Sequence, residues 1–526
     1  MNLALRICFL LACAACYVVQ TVYFTHMLQL NSYRPERYGK WCRENPGRLF
    51  FIARLLPLGA AALLFVPPER IGYGAAMIVL AVTAFLCRPK KAKKPLVITA
   101  RVKRLWVTAA VLLAALLTGL YFAGISLLGA VLTVLTASLA WIWVGVANLL
   151  NLPVEKGIAR HYVNDARRIL RAMPGLIVIG ITGSYGKTSA KNFLYTLLSS
   201  KYNVLMTPES YNTTMGVVRT IREQLRPYHE IFIVEMGAKN PGDIREICEL
   251  VRPKYGILTA IGEQHLETFK TIDNIIRTKF ELADAIPADG AVFLNFDNLH
   301  IRQHKTACRV ISYGTATETG AMVLAGDAAV GPNGSTFTIT LPDGESGRFS
   351  TRLLGAHNIQ NLTGCIAVAD TLGIGLEALV YPVRQIRPVK HRLELLPGGF
   401  IDDAYNANPA GFRAALDVLK GFAGQRVLVT PGMVELGERQ AALNRELGAY
   451  AADCCDYAVL VGFKAPPLKE GLCPPVFRRS GCLSPTRCRR GWRLSGGFRR
   501  RGCAPCCSKT ICRIISDLRE KGMVCI

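Results

Sequence analysis

Acidic side chains are scarce in this chain: its 526 residues include 37 Asp and Glu against 63 Lys and Arg, a formal net charge of +26. The basic excess does not form one nucleic-acid-binding face, because part flanks apolar segments near the N-terminus and part lies in an arginine-rich tail. Internal repeats are missing, and no Ser-His-Asp or Cys-His arrangement indicates a covalent nucleophile. A chain of this length is too long to form one hydrophobic core, so we expect several domains. Because the basic residues do not form one face, we expect no nucleic-acid partner.

The first 150 residues are predicted to form a multi-span membrane domain of about five helices. Each of five apolar stretches approaches the roughly 20 residues that cross a bilayer, namely Leu3–Phe24, Leu49–Val66, Ile71–Cys87, Leu105–Phe122 and Ile125–Ala147. Arg54 and Pro57 make the second stretch the least secure. One alternative is a set of buried helices in a soluble domain. Another is a lipoprotein-type signal peptide at Leu11-Ala12-Cys13, although the first run stays apolar to Phe24.

Charges in the loops predict the orientation of this domain. The loop 25–48 carries five Lys or Arg, and the loop 88–104 carries eight with no acid. Five spans with the N-terminus outside place both basic loops in the cytoplasm, as the positive-inside rule requires. The same count places everything after Ala147 in the cytoplasm. The sequence therefore predicts a multi-pass membrane protein with cytoplasmic catalytic domains.

A variant phosphate-binding loop follows the membrane segments. An apolar run, Leu176–Ile181, is typical of a buried strand, and the pattern 190–198 is helical. Between them Gly183, Ser184 and Gly186 form a turn whose backbone N–H groups can approach polyphosphate oxygens. Lys187 would reach the terminal phosphates, and Thr188 or Ser189 would offer a hydroxyl to Mg²⁺. Ile181 stands where the strict motif has its first glycine. The alternative is a glycine-rich turn that binds nothing.

The sequence after residue 150 predicts two α/β domains. Residues 151–171 form an amphipathic basic connector, and strand candidates then alternate with helices, as in a doubly wound nucleotide-binding domain. The strand candidates are Asn203–Met206, Ile231–Glu235, Gly256–Ile261 and Ala291–Asn295. Residues 321–353 are rich in short strands and are assigned to the same domain. A second α/β pattern starts near Lys390, with strands near Leu393–Ile401 and Arg426–Val429.

Several strand ends and helices in the central region carry polar residues. Glu235 ends a buried strand near the phosphate loop, where Mg²⁺ is usually held. His265 follows the next strand and could be a metal ligand, although a lone histidine is more often structural. Lys279 sits on an amphipathic helix, where a lysine would normally extend to solvent. Asn295 and Asn358 offer amide groups to a nucleotide.

The ordered set of motifs resembles the Mur ligase family of ATP-dependent amide-bond ligases. The variants Glu235-Met-Gly-Ala and Asp402-Asp-Ala-Tyr-Asn-Ala-Asn-Pro409 carry the likeness most specifically, and it covers about residues 172–464. The resemblance implies a P-loop ATPase-type central domain over 172–389 and a smaller Rossmann-like C-terminal domain over 390–464, the latter incomplete. It also implies ATP and Mg²⁺ as cofactors.

The resemblance assigns site residues position by position. Lys187 and Thr188 would bind the β- and γ-phosphates and Mg²⁺, which Glu235 and His265 would also hold. Lys279 matches a lysine that is carbamylated in the family, and its new carboxylate would help to position a metal. The remaining expected contacts are Asn295 and Asn358 near the nucleotide, Arg392, Asp402 and Asn406 closing on the acyl phosphate and nucleotide, and Asn212 and Thr213 on the sugar-peptide substrate.

The implied reaction adds D-alanyl-D-alanine to a UDP-muramoyl tripeptide through an acyl phosphate in peptidoglycan precursor synthesis. Membrane spans, however, stand where the family has its uridine-binding N-terminal domain. One alternative is therefore a membrane-tethered ligase of the same superfamily acting on another envelope polymer, such as poly-γ-glutamate. A second is a membrane-linked P-loop ATPase that is not a ligase.

The tail, residues 465–526, differs in composition from the rest. It holds eight of the 18 cysteines and eleven arginines against three acids. Cys503 and Cys506 have the spacing of metal ligands, but no matching second pair follows. A basic nucleic-acid tail is another interpretation, and a disordered tail is a third. A frameshift is favoured, because with one choice of synonymous codons Cys506–Ile514, shifted by one base, becomes Val-Leu-Phe-Glu-Asn-Asp-Leu-Pro-Asp, a credible strand and turn.

Overall fold

The structure, a computed structural model, describes residues 3–89, 92, 94–122, 126–209, 211–263, 266–404, 408–433, 436, 439–461, 466–472 and 524–525. It divides into two compact units, Met1–His161 and Tyr162–Ile526. The regular secondary structure described in the first unit is all helical, and the second unit is α/β.

The N-terminal unit is built from helices whose apolar residues form two buried clusters. Its helices are α1 Leu3–Leu30, α2 Pro35–Glu44, α3 Pro46–Leu49, α4 Ile52–Leu63, α5 Glu69–Leu86, α6 Ala100–Phe122, α7 Ser126–Ser138 and α8 Ala140–Arg171, the last of which continues into the second unit. The predicted last span, Ile125–Ala147, is divided between α7 and α8. The predicted connector 151–171 is not a separate element, because α8 contains both the end of that stretch and the connector.

Two of the described helices are long and apolar enough to cross a membrane, Ile7–Leu30 and Glu69–Leu86. A third candidate arises if the bent pair Leu127–Thr136 and Ala140–Arg171 counts as one span. The predicted second span, Leu49–Val66, is not one long helix. Its α4 has 12 residues with Pro57 inside it. At 1.5 Å per residue such a helix covers about 18 Å, less than the roughly 30 Å of a hydrocarbon core.

A nine-stranded sheet organises the second unit, in the order β2-β3-β1-β4-β5-β6-β7-β8-β9. The strands from β2 across to β7 pair in parallel, and the β7-β8-β9 end is antiparallel. The strands are β1 Ile177–Thr182, β2 Val204–Met206, β3 Ile231–Glu235, β4 Tyr255–Leu258, β5 Ala291–Asn295, β6 Val310–Gly314, β7 Val323–Gly331, β8 Gly334–Thr340 and β9 Ser346–Thr351. The prediction that residues 321–353 add strands to this domain is confirmed.

Helices cover both faces of this sheet and bury two large apolar clusters. All five residues of β3 are buried, as expected for a parallel strand with helices on either side. The helices are α9 Lys187–Leu198, α10 Thr214–Gln224, α11 Asp243–Val251, α12 Leu266–Phe269, α13 Ile272–Asp284, α14 Leu299–Arg302, α15 Ala356–Thr371 and α16 Leu376–Gln385, with a 3₁₀ turn at Thr317–Thr319.

A second sheet, β10-β11-β14-β12-β13, follows in the chain. Its elements are β10 Glu394–Leu396, β11 Phe400–Asp402, α17 Pro409–Lys420, β12 Arg426–Thr430, α18 Gln440–Cys454, β13 Tyr457–Leu460, α19 Pro466–Leu472 and β14 Val524–Cys525. The single strand predicted near Leu393–Ile401 is wrong, because β10 and β11 form an antiparallel pair there. Gly398 and Gly399, with φ of 88° and 76°, turn the chain between them.

Candidate active site

The turn between β1 and α9 is the segment predicted to bind phosphate, and we call it the phosphate loop. Gly186 precedes α9 with a φ of 81°, a conformation that favours glycine. A Cβ there would lie 2.6 Å from Asn361 Oδ1, and a side chain at Gly183 would collide with the Thr259 hydroxyl. Among the described residues, no side chain caps the N-terminus of α9. Its first N–H groups are therefore available to an anion, with the positive end of the helix dipole behind them.

Lys187 and Ser184 are both held by carbonyl groups. Lys187 Nζ donates to Gly183 O at 2.6 Å and to Ser184 O at 3.2 Å. Desolvation lowers the pKa of Lys187 to about 8, although the Glu235 carboxylate acts in the opposite direction. Ser184 Oγ donates to Gly262 O at 3.0 Å, so this hydroxyl fastens the loop to the end of the neighbouring strand. Ser189, inside α9, is buried.

A buried carboxylate stands at the end of β3, as predicted. Glu235 is 1 % exposed, and its Oε1 accepts from Thr188 Oγ1 at 3.1 Å and from Asn212 Nδ2 at 3.2 Å. Oε2 lies 3.1 Å from Lys191 Nζ but accepts no hydrogen bond among the described residues. A carboxyl oxygen with spare acceptor capacity beside a hydroxyl is a donor set that suits Mg²⁺. These residues fit the expected metal.

Within the described residues, no group of three or more His, Cys, Asp or Glu could hold a metal ion. His265, the third predicted ligand, lies outside the described residues. The predicted metal ligands that the structure describes are the Glu235 carboxylate, the Thr188 hydroxyl and Lys279, whose carbamate stays a prediction.

Lys279 is buried and does not extend to solvent. It lies on α13 and is 3 % exposed. Desolvation is the main cause that lowers its pKa well below the usual value, and the charge of nearby Lys187 lowers it further. Its amine is therefore biased toward the neutral form, which is the nucleophilic form of a lysine. Glu281, two residues on, accepts from the N–H groups of Gly242 at 2.7 Å and Arg245 at 2.9 Å.

The two predicted nucleotide-binding asparagines make internal hydrogen bonds. Asn295 Nδ2 donates to Thr259 O at 2.7 Å, and its Oδ1 accepts from Asp297 N at 3.1 Å. Asn358 Nδ2 donates to Leu354 O at 2.8 Å. Both side chains are buried and fix the loops around them.

The predicted substrate residues lie on a loop that meets the end of β3. Asn212 O accepts from Gly237 N at 2.7 Å, in addition to the contact of its side chain with Glu235. Thr213 caps α10 by accepting from Gly216 N at 3.4 Å. The structure therefore brings Asn212 to the Glu235 carboxylate, whereas the Thr213 hydroxyl stabilises a helix terminus.

The segment just before β10 supplies an arginine to the start of α9. Arg392 Nη2 donates to Thr188 Oγ1 at 3.4 Å. Asp402 Oδ2 lies 2.6 Å from His391 Nδ1, and Asp402 Oδ1 accepts from Ala404 N at 3.1 Å. Burial raises the pKa of the neighbouring Asp403 to about 6. Asn406 lies outside the described residues.

Sequence reasoning missed three residues of this site. Lys191 lies one helical turn after Lys187, and Asn361 lies three residues after Asn358; helical spacing is the signal that could have found both. His391, the partner of Asp402, has a φ of 62°. No sequence signal predicts that left-handed backbone, because the residue there is not glycine.

Known proteins resemble the second unit of this chain in sequence. A sequence model described as the Mur ligase middle domain matches residues 181–369, and one described as the Mur ligase, glutamate ligase domain matches residues 391–472. The UDP-N-acetylmuramoyl-tripeptide–D-alanyl-D-alanine ligase of Bacillus subtilis is 30% identical over 282 residues, which are 52% of this chain and 60% of that protein. The chain thus spans about 60% of the length of this relative.

Two solved structures are similar in fold. The crystal structure of MurF from Acinetobacter baumannii is 32% identical, with a TM-score of 0.55, over 59% of this chain and 69% of that one. The MurF ligase from Thermotoga maritima in complex with ADP is 27% identical, with a TM-score of 0.54, over 59% of this chain and 72% of that one. Phosphate loop, strand-end carboxylate, buried lysine and arginine thus occur in a fold shared with these enzymes, and the chain belongs to the Mur ligase family.

Proposed function

We propose that this protein is an ATP-dependent amide-bond ligase that adds D-alanyl-D-alanine to a UDP-muramoyl tripeptide. The relatives from Bacillus subtilis and Escherichia coli carry the name of that activity, at 30% and 29% identity. The observation that carries the proposal is the contact of Thr188 with both Glu235 and Arg392. It joins the phosphate loop, the strand-end carboxylate and the C-terminal domain at one hydroxyl.

The proposed reaction has two steps. The substrate carboxylate oxygen attacks the γ-phosphorus of ATP, ADP leaves, and an acyl phosphate forms. The amine of D-alanyl-D-alanine then attacks the acyl carbon, phosphate leaves, and the amine loses its proton as the amide forms. Lys187 and the N–H groups at the start of α9 would hold the terminal phosphates in line. Arg392 would balance charge on the transferred group.

Thr188, Glu235 and His265 are the proposed residues for Mg²⁺, which neutralises phosphate charge when it is bound. Lys279 is proposed to carry a carbamate: its neutral amine attacks CO₂ and loses a proton, which leaves an anionic oxygen pair. The burial and depressed pKa of this amine support that step. Asn295, Asn358, Asp402 and Asn406 stay proposed nucleotide contacts, and the ADP complex of the Thermotoga maritima enzyme supports a nucleotide site in this fold.

The proposed organisation assigns a function to each segment. Residues 1–150 would anchor the enzyme in the membrane, 151–171 would connect, 172–389 would bind ATP, and 390–464 would close over it. The tail 465–526 is proposed to be frameshifted, although α19 at its start and β14 near its end are elements of the C-terminal domain. Apolar helices in the N-terminal unit support the anchor. Asn212 and Thr213 would meet the peptide precursor, while the part that grips its uridine diphosphate is not assigned.

An assay of the detergent-solubilised full chain tests the function. Phosphate release and a ligated product should require ATP, UDP-muramoyl tripeptide and D-alanyl-D-alanine together, and Lys187→Ala should abolish both. Turnover that requires a poly-γ-glutamate acceptor instead would favour a ligase for another envelope polymer. Phosphate release that needs no amine acceptor would contradict ligation.

A further inference from the structure

Lys191 is a buried cation that the proposed chemistry does not use. It lies on α9, one turn after Lys187, and its side chain is 1 % exposed. Its Nζ donates to Glu209 O at 2.6 Å and lies 3.1 Å from Glu235 Oε2. A methionine would fill the same volume without the cost of burying a charge, so the two oxygens around the ammonium account for a lysine at this position.

The Glu209 carbonyl belongs to the segment between β2 and α10, and we call its described residues, 207–209 and 211–213, the β2–α10 loop. The other end of this loop is also tied to β3. Asn212 donates to Glu235 Oε1 at 3.2 Å and accepts from Gly237 N at 2.7 Å. At Gly237 the segment after β3 packs closely against the β2–α10 loop, because a Cβ there would lie 2.8 Å from Asn212 Cγ. Lys191 and Asn212 thus fasten the loop to opposite oxygens of one carboxylate.

Glu209, whose carbonyl Lys191 contacts, has a backbone conformation that a residue does not adopt readily without an external contact. Glu209 has a φ of 42°, in the left-handed region that a residue with a side chain rarely occupies. Inside the loop, Tyr211 N donates to Pro208 O at 3.0 Å. An external hydrogen bond to the Glu209 carbonyl is the contact that offsets the local strain.

We propose that Lys191 is a positioning residue that holds the β2–α10 loop against the metal carboxylate. The loop carries Asn212 and Thr213, so Lys191 would set the binding site of the carboxylate substrate relative to the metal and phosphates. This inference rests on the proposed function for its kinetic consequence, although the structural coupling stands without it. It predicts that loss of Lys191 impairs binding of the peptide precursor far more than binding of ATP.

Hydrogen exchange of the ligand-free, solubilised full chain tests the coupling directly. The protected amides to follow are Tyr211 and Gly237, whose hydrogen bonds fix the loop. Lys191→Met should accelerate their exchange about tenfold or more, and Lys191→Gln, which keeps a donor without the charge, should give an intermediate rate. Lys201→Met is the matched control, because among the described residues this exposed lysine donates to Gly373 O alone, away from the loop. Exchange in both Lys191 variants equal to wild type would overturn the proposal.

Kinetics supply the second readout. Lys191→Gln should raise the KM for the UDP-muramoyl tripeptide about tenfold while the KM for ATP changes less than about twofold. A variant that is only destabilised would change the two KM values to a similar extent. Equal changes in both KM values would therefore contradict a positioning role. If the wild type ligates none of these substrates, the proposed function fails, and the exchange of Tyr211 and Gly237 still decides the coupling. If Lys191→Met does not fold, Lys191→Gln alone decides.

Discussion

Three lysines lie close to the phosphate loop, and each has different contacts and therefore a different proposed role. Lys187 is held by the loop carbonyls, Lys191 by a carboxylate and a carbonyl, and Lys279 makes no hydrogen bond to a described residue. The motif spacing predicted Lys187. The burial of the other two could not be predicted, because a lysine within a helical apolar pattern normally extends to solvent.

Lys279→Ala tests the proposed carbamate. We expect kcat to fall about 100-fold or more, because an anionic oxygen pair would be lost from a preorganised site. Formate or acetate should restore part of the activity to this variant by supplying the missing oxygens. The measurement is ligation rate against added carboxylate concentration.

Lys187→Ala is the control for that rescue. It removes a cation, so small carboxylates should leave it inactive. Full activity of Lys279→Ala without any additive would show that the carbamate assignment is wrong.

At the scale of elements, hydrophobic patterning located the central sheet well. Buried runs such as Ile231–Glu235 and Ala291–Asn295 form strands with the predicted bounds, because both faces of a parallel strand are covered. The pattern was misleading near Leu393–Ile401. There Pro397 and two glycines in left-handed conformations split one apolar run into a hairpin. Turn chemistry outweighed hydrophobicity at that point.

The polar side chains of the site were predictable only where the local sequence fixes their position. Glu235 was predictable because a strand end fixes its position. Glu281 was not, since its role depends on where the N-terminus of α11 lies in space. That role is to accept hydrogen bonds from Gly242 N and Arg245 N, two orphan donors at the start of α11.

Loss of this cap should destabilise the second unit measurably. Glu281→Ala leaves two N–H groups without their acceptor and removes a negative charge from a helix N-terminus. We therefore expect the free energy of unfolding to fall by about 1–2 kcal/mol. Urea denaturation of the purified chain measures it. Glu223→Ala is the matched control, because its exposed ion pair with Arg219 should contribute about 0.5 kcal/mol or less. Equal losses in the two variants would contradict a capping role.

For the whole molecule, the central question is whether α4 crosses the membrane. Its 12 residues are short for a span, yet Arg54 inside it is buried, with its guanidinium 3.7 Å from the centre of the Tyr23 ring. If α4 returns to the side from which it came, α5 carries the loop 88–104 to the outer face. That loop contains eight Lys or Arg and no acid, which the positive-inside rule opposes. Charge therefore favours five crossings, while helix length favours fewer.

Reporter fusions decide between these topologies. Five crossings with the N-terminus outside predict that alkaline phosphatase fused after residue 68 is active, because that turn lies outside the cytoplasm. The same reporter fused after residue 95 should be inactive, and β-galactosidase at that position should be active. A chain in which α4 does not cross gives the opposite result at both positions, so each fusion is the control for the other. We expect the first pattern, because moving so basic a loop across the membrane opposes the charge bias that sets the orientation of membrane proteins.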